Sequence, residues 1–158
     1  VKKTILIIGV ILTIASCAGK KIIEPEGILF SANYTEEYCG GAPPSDELIE
    51  SLMTPKPYSD SIYLHQSAKR DDEGVKFAFN KNGQKDIIGL VNGEYFVFLN
   101  AKRSREYYQN TVDNNLIDPN CMYDFNQMII EKIVVSDTTT VIGFNIHKMC
   151  NPCEPPKP

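Results

Sequence analysis

The sequence predicts an all-β domain, an antiparallel β-sandwich of about seven strands with one short helix. Three observations point there. Apolar residues recur at every second position through much of residues 27–153. Asn-Gly and Gly/Pro turn signals separate those runs, and only one stretch carries the chemistry of a helix start.

Gly27-Ile28-Leu29-Phe30 opens the first strand-like run. Cys39-Gly40-Gly41-Ala42-Pro43-Pro44 is a cluster of chain breakers and reads as loop. Ser45 then precedes Asp46, Glu47 and the apolar Leu48, Ile49 and Leu52. This combines an N-cap hydroxyl, acids suited to the positive end of a helix dipole, and one apolar face. Pro55 and Pro57 end that helix.

Beyond it the period shortens to two. Ile62 and Leu64 alternate with Tyr63 and His65; Val75, Phe77 and Phe79 alternate with Lys76 and Ala78, before a turn at Asn82-Gly83. Asn92-Gly93 leads into Tyr95-Phe96-Val97-Phe98-Leu99, a strand apolar on both faces and therefore expected at the centre of a sheet. Ile133-Val134-Val135 and Val141 to Ile146 flank Ser136 to Thr140 and read as a hairpin, with Ile142, Phe144 and Ile146 on one face. Residues 102–127 are polar, hold Tyr107, Tyr108, Tyr123 and Cys121, and follow neither period. So long a segment in a small domain is expected to be functional or partly ordered. Glu154 to Pro158 is too proline-rich for sheet or helix and is expected to be extended.

Ahead of the domain, Lys2 and Lys3 precede an apolar run from Ile5, which ends in Ile14-Ala15-Ser16-Cys17. The run is about 11 residues, short of the ~20 that span a bilayer and within the ~7–15 of a signal peptide. Its closing residues resemble the lipobox of bacterial lipoproteins at each position, and the chain turns polar at Gly19-Lys20-Lys21. An ordinary signal peptide with a chance cysteine does not explain that match. A core strand does not explain lysines at its head. The resemblance implies a lipoprotein signal peptide over 1–16, then lipidated Cys17 and a tether over 17–26. The domain follows over 27–153 and the tail over 154–158.

Lipoprotein chemistry places a diacylglycerol on the Cys17 sulfur, and in Gram-negative bacteria usually a third chain on the freed amine. Two or more chains hold a protein at a membrane where one alone is marginal. Ala18, rather than an aspartate, implies delivery to the outer membrane; the absence of an acidic run after Cys17 implies its periplasmic face.

Without residues 1–16 the net charge moves from −4 to −6, a poor balance for nucleic acid. With Cys17 given to lipid, Cys39, Cys121, Cys150 and Cys153 remain, an even number suited to disulfides in an oxidising compartment. Three pairings are possible. Separate partners for Cys150 and Cys153 would staple the tail to the domain more effectively than a bond between them.

Asp71-Asp72-Glu73-Gly74-Val75-Lys76-Phe77-Ala78-Phe79 and Gly89-Leu90-Val91-Asn92-Gly93-Glu94-Tyr95-Phe96-Val97 resemble the core signature of carboxypeptidase regulatory-like domains, which are transthyretin-like sandwiches. The resemblance implies an acidic turn ending in glycine, two phenylalanines facing the core, and a tyrosine strand returning antiparallel. The stretch from Tyr34 to Pro44 and Cys150-Asn151-Pro152-Cys153 look like segments of small secreted lipoproteins with this domain. Several residues are inserted between Phe79 and Leu90, against the pattern. Such domains are usually non-catalytic: they support folding, dock partners or act as spacers.

Cys150-Asn151-Pro152-Cys153 also has the spacing of a thiol-redox motif, which needs its first cysteine at a helix N-terminus. Prolines after Cys153 forbid that helix, so the expected role is structural. A zinc site could draw on His147, Cys150 and Cys153 with Cys39, Cys121 or His65, although separated CxxC pairs are missing. His65 and His147 are both placed on outer strand faces. Asp71-Asp72-Glu73 could attract calcium but reads first as a solvated tip.

No nucleophile context, phosphate loop or cofactor motif is present. The expectation is therefore a lipid-anchored, non-catalytic module that meets the membrane through Cys17 and offers loops, notably 102–127, to an envelope protein or glycan. The alternatives are a periplasmic thiol-redox or metal protein using Cys150 and Cys153, and a secreted enzyme with an unrecognised site.

Overall fold

The computed structural model describes residues 27–112 and 117–154. The leader, Cys17, the tether and residues 155–158 lie outside that range. Its elements in chain order are β1 (Ile28–Glu36), α1 (Asp46–Met53), β2 (Lys56–Pro57), β3 (Ser61–His65), β4 (Val75–Ala78), β5 (Gln84–Ile87), β6 (Gly93–Phe98), α2 (Arg105–Thr111), α3 (Pro119–Asn126), β7 (Glu131–Val135) and β8 (Val141–Lys148). Strands dominate and form two sheets, as expected, but the described residues hold three helices rather than one.

In the first sheet β1 is central. Its first half pairs antiparallel with β5 and its second half with β2, while β8 lies along its other side. The β1–β8 ladder is parallel, with Phe30 opposite Ile142 and Ala32 opposite Phe144, so the sheets are not wholly antiparallel. The second sheet has the order β4-β3-β6-β7 and is antiparallel throughout. Strand β6 is interior to it, as its two apolar faces require.

Period-two alternation turns one face of each sheet inward. Phe30, Ala32, Phe144 and Ile146 from the first meet Ile62, Leu64, Phe77 and Val97 from the second in one core. Phe30 and Phe77 touch across the gap edge-to-face, ring centroids 5.2 Å apart.

Two expectations about connectivity are corrected. β7 and β8 do not form a hairpin; β7 pairs with β6 in one sheet and β8 with β1 in the other. The segment between them turns at Ser136, whose carbonyl accepts from Thr139 N–H at 2.9 Å, and crosses from sheet to sheet. The tyrosine strand does not return antiparallel to the phenylalanine strand. Both β4 and β6 run antiparallel to β3, which lies between them, so they point the same way. Phe77 and Phe79 do face the core, but Val75 is exposed.

The segment after Phe79 forms β5, closed by a turn in which Gly83 has φ +71°. A Cβ on Gly83 would collide with the Ala32 carbonyl oxygen, which itself accepts from Tyr58 N–H. Left-handed strain of ~1–2 kcal/mol and a backbone collision then act together. Gly83→Ala is expected to lower the unfolding free energy by about 2–4 kcal/mol in urea titrations.

Part of the outer face of the second sheet is also covered, against expectation, while Lys76, Glu94, Lys132 and Val134 on that face stay exposed. Phe98 and His65 point away from the main core yet are both buried, beneath Arg70 and the α2–α3 pair. His65 is 4% exposed rather than solvated. Tyr108 of α2 packs edge-to-face against Tyr123 of α3, and Arg105 stacks over Tyr123 at 4.3 Å.

Candidate functional site

Strands β1 and β8 start side by side and end side by side, which gives the domain two distinguishable poles. The chain enters at Gly27, near Ile87 and Ile88. The opposite pole carries both disulfides. Cys39, three residues beyond β1, is bonded to Cys150, two beyond β8, with Cα atoms 5.5 Å apart. Cys121 of α3 is bonded to Cys153, with Cα atoms 5.6 Å apart. The Cys150-Asn151-Pro152-Cys153 segment is therefore no redox pair. Each cysteine has a different partner, and together they tie the end of the first sheet to the helix layer.

The cystine pole opens into two recesses that share Lys148 and Met149. The first, of about 290 Å³, lies between the sheet ends and α3. Its walls include Leu99, Phe125, Met128, Ile130 and Met149, with Tyr58, Asp60, Asn100 and Lys148 as polar groups. The second, of about 470 Å³, lies between the end of β1 and α1, with Leu48 and Leu52 on the helix side.

Ser45 caps α1 as its sequence demands, its hydroxyl accepting from Leu48 N–H. Yet α1 buries no residue, and Leu48, Ile49 and Met53 stay exposed. Met128, Ile129 and Met149 are exposed as well. Apolar side chains are thus exposed around this pole, as Ile88, Val91 and Val141 are around the entry pole, and such exposure is a usual mark of contact surfaces.

Lys148 sets the electrostatics of the first recess. Its ammonium lies 4.0 Å from the Tyr34 ring centroid, 5.6 Å from that of Tyr58, and 4.0 Å from Glu36 Oε1. Burial, aided by Asp60, pushes the Tyr58 hydroxyl up to about 12, so it stays protonated and donates to the Ser61 carbonyl at 3.1 Å. The Glu37 carboxylate accepts from Cys150 N–H at 2.8 Å, fixing the start of the stapled segment. Chemically this is a slot of mixed lining, apolar along Leu99, Phe125, Met128 and Ile130 and polar where Asp60, Asn100, His147 and Lys148 border it.

The other expected sites fall elsewhere. His147 is exposed and shares a hydrogen bond with Thr35 Oγ1 at 3.0 Å. Among the described residues no three His, Cys, Asp or Glu side chains are placed to hold a metal. Of the acidic turn, Asp72 is engaged: its two oxygens meet His65 Nδ1 and Gln66 N–H, each at 3.0 Å.

Burial pushes the Asp72 carboxyl up, but the Gln66 and His65 hydrogen bonds outweigh it and hold the group below the usual range. A depressed carboxylate stabilises the fold above its unfolded pKa of about 3.9, and that share is lost as pH falls through the lower folded value. Asp72→Ala is expected to cost about 1–3 kcal/mol at neutral pH, because Gln66 N–H and His65 lose their acceptor. Thermal melts should show the variant and the parent converging as pH drops below about 4.

No protein-family model, curated protein or solved structure matches the chain. Among the described residues no helix is long and apolar enough to cross a membrane. The two disulfides are the chemistry of an oxidising, extracytoplasmic environment.

Proposed function

We propose that the chain is a lipid-anchored envelope protein whose non-catalytic β-sandwich offers its cystine pole to a binding partner. One observation carries this reading: the chain enters the domain at the pole opposite the two recesses that share Lys148 and Met149, while a third, of about 340 Å³ beside Ile87 and Leu90, lies at the entry pole itself. At ~3.3 Å per residue, the nine residues of β1 set the two poles about 30 Å apart. A lipid on Cys17 would then hold the entry pole near the membrane and turn the two recesses of the cystine pole outward. The oxidised cysteines support an envelope location. The likeness to carboxypeptidase regulatory-like domains, whose usual role is docking or spacing, is supported by the buried Phe77 and Tyr95 but not by the strand order, in which β3 separates their strands. Outer-membrane residence on the periplasmic face is supported by Ala18 and by the lack of an acidic run directly after Cys17.

The anchor is tested by labelling cells with radioactive palmitate and fractionating them. The parent chain is expected in the membrane fraction and labelled, and Cys17→Ala unlabelled and released. A membrane-bound, normally processed Cys17→Ala would overturn the anchor. The binding role is tested by crosslinking at Met128 and Met149 in detergent-solubilised envelopes; failure to trap any specific envelope component would count against it.

A further inference from the structure

Strand β8 differs from the other edge strands. β2 is Lys56-Pro57, β5 carries Lys85 and Asp86, β4 carries Lys76, and β7 opens with Glu131-Lys132. Short length, charge and proline are the means by which edges resist pairing with foreign strands. β8 runs eight residues with no proline and no charge before Lys148.

Its hydrogen-bonding groups are divided by parity. The Thr140 and Lys148 carbonyls accept from Leu29 and Glu37 N–H across the parallel ladder, so the even-numbered residues face β1. The N–H and C=O groups of Val141, Gly143, Asn145 and His147 therefore point to the open edge. Among the described residues β1 is the only strand paired with β8. The strand ends in the first recess: His147, Lys148 and Met149 form part of its wall.

We propose that β8 is a strand-addition site, taking an extended segment of a partner protein that places one apolar side chain in the recess beside Met149. The occupant follows from the complement it must supply. An extended backbone matches donors and acceptors at a two-residue repeat, and an apolar side chain suits the Leu99, Phe125 and Ile130 wall of the recess. A second copy paired through its own β8 does not meet both needs. Its inward residues there are Ile142, Phe144 and Ile146, already buried in their own core, so the recess would stay empty. The proposal rests on the binding-module reading and names the chemistry of the partner.

The test uses the full chain, isotope-labelled in detergent, and a short fluorescent peptide alternating threonine and valine with a leucine at one end. Binding is expected to shift the amide signals of Val141, Gly143, Asn145, His147 and Met149. Asn145→Pro removes an outward N–H without touching the β1 ladder and is expected to weaken binding at least about tenfold. Met149→Glu places charge at the recess and is expected to do the same while leaving the edge intact, so the test survives if the proline variant misfolds.

No shift at those amides under saturating peptide, or unchanged binding by both variants, overturns the proposal. So does a dimer in sedimentation that Asn145→Pro abolishes, which would make the edge a self-association surface. An envelope component that protects α1 but not β8 would overturn it while leaving the binding-module reading standing.

Discussion

Replacing Cys39 and Cys150 together by serine is expected to lower the unfolding free energy by about 4–5 kcal/mol, the larger of the two disulfide losses. The bond joins residues 111 apart in sequence, whereas Cys121 and Cys153 are separated by 32. In the chain-entropy account the shorter loop is worth about 3.5–4 kcal/mol. Topology sharpens the difference. An antiparallel pair can be closed by a tight turn, but β1 and β8 are parallel and nearly the whole domain lies between them. Their ladder must recover the closure entropy of that long loop by itself. The disulfide sits just beyond both strand ends, where a turn would sit in a hairpin, and does a turn's work. Urea titrations of Cys39→Ser/Cys150→Ser and Cys121→Ser/Cys153→Ser measure the two losses. An equal or smaller loss for the first pair would show that the parallel ladder does not depend on its clasp.

That clasp also explains why connectivity was less legible than strands. Alternation at Ile62 and Leu64, or at Ile142, Phe144 and Ile146, reports that a strand has one buried face, and all five side chains are buried. It does not report which sheet the strand joins. Ser136 to Thr140 makes a local turn of the kind a hairpin uses, yet five residues also suffice to cross the ~10 Å between packed sheets. β5 was invisible for another reason. Gln84-Lys85-Asp86-Ile87 is polar and mostly exposed, and is a strand because β1 has backbone groups to satisfy on that side.

The helix layer was hidden by its own chemistry. α2 and α3 are two turns each, too short for a periodic stripe, and the face they cover is lined by a charged side chain and tyrosines. The signals present were caps rather than periods: Ser104 accepts from Tyr107 N–H, and Asp118 caps a helix with Pro119 in its first turn. The recesses at the cystine pole could not be read from sequence. Leu99, Met128 and Met149 are ordinary core residues by type, and only the placing of the ends of β6 and β8 and the start of β7 at one pole leaves them at an open end. His65 was misplaced because an outer strand face is solvated by default, and nothing local announces that Arg70 will cover it.

Arg70→Ala is expected to cost about 3–5 kcal/mol, a core-sized loss from a residue type that seldom enters a core. Arg70 is fully buried and, at φ +56°, is the only non-glycine residue with positive φ among the described residues. The left-handed backbone is a cost of ~1–2 kcal/mol, so the contacts it enables must exceed it. The guanidinium stacks over Phe98 at 4.3 Å and donates to the Asn100 and Asn126 carbonyls, joining the end of β6 to the end of α3. Lys102 in turn donates to the Arg70 carbonyl. Burial pushes the Arg70 pKa down, opposed by Tyr108, Tyr63 and Asp72. Alanine would leave both carbonyls unpaired, at about 1–3 kcal/mol each, and a void beneath the helices. Arg70→Lys keeps the charge but lacks the planar fork that stacks and donates together, so an intermediate loss of about 2 kcal/mol is expected. The chain has no tryptophan, so near-ultraviolet circular dichroism reports its tyrosines, Tyr107, Tyr108 and Tyr123 among them. That signal should weaken in Arg70→Ala before the two-sheet core melts, because the arginine anchors the helix layer and not the sandwich. A loss below about 1 kcal/mol, or one cooperative melt with the tyrosine signal intact, would mean the layer is held by Tyr108 and Cys121–Cys153 instead.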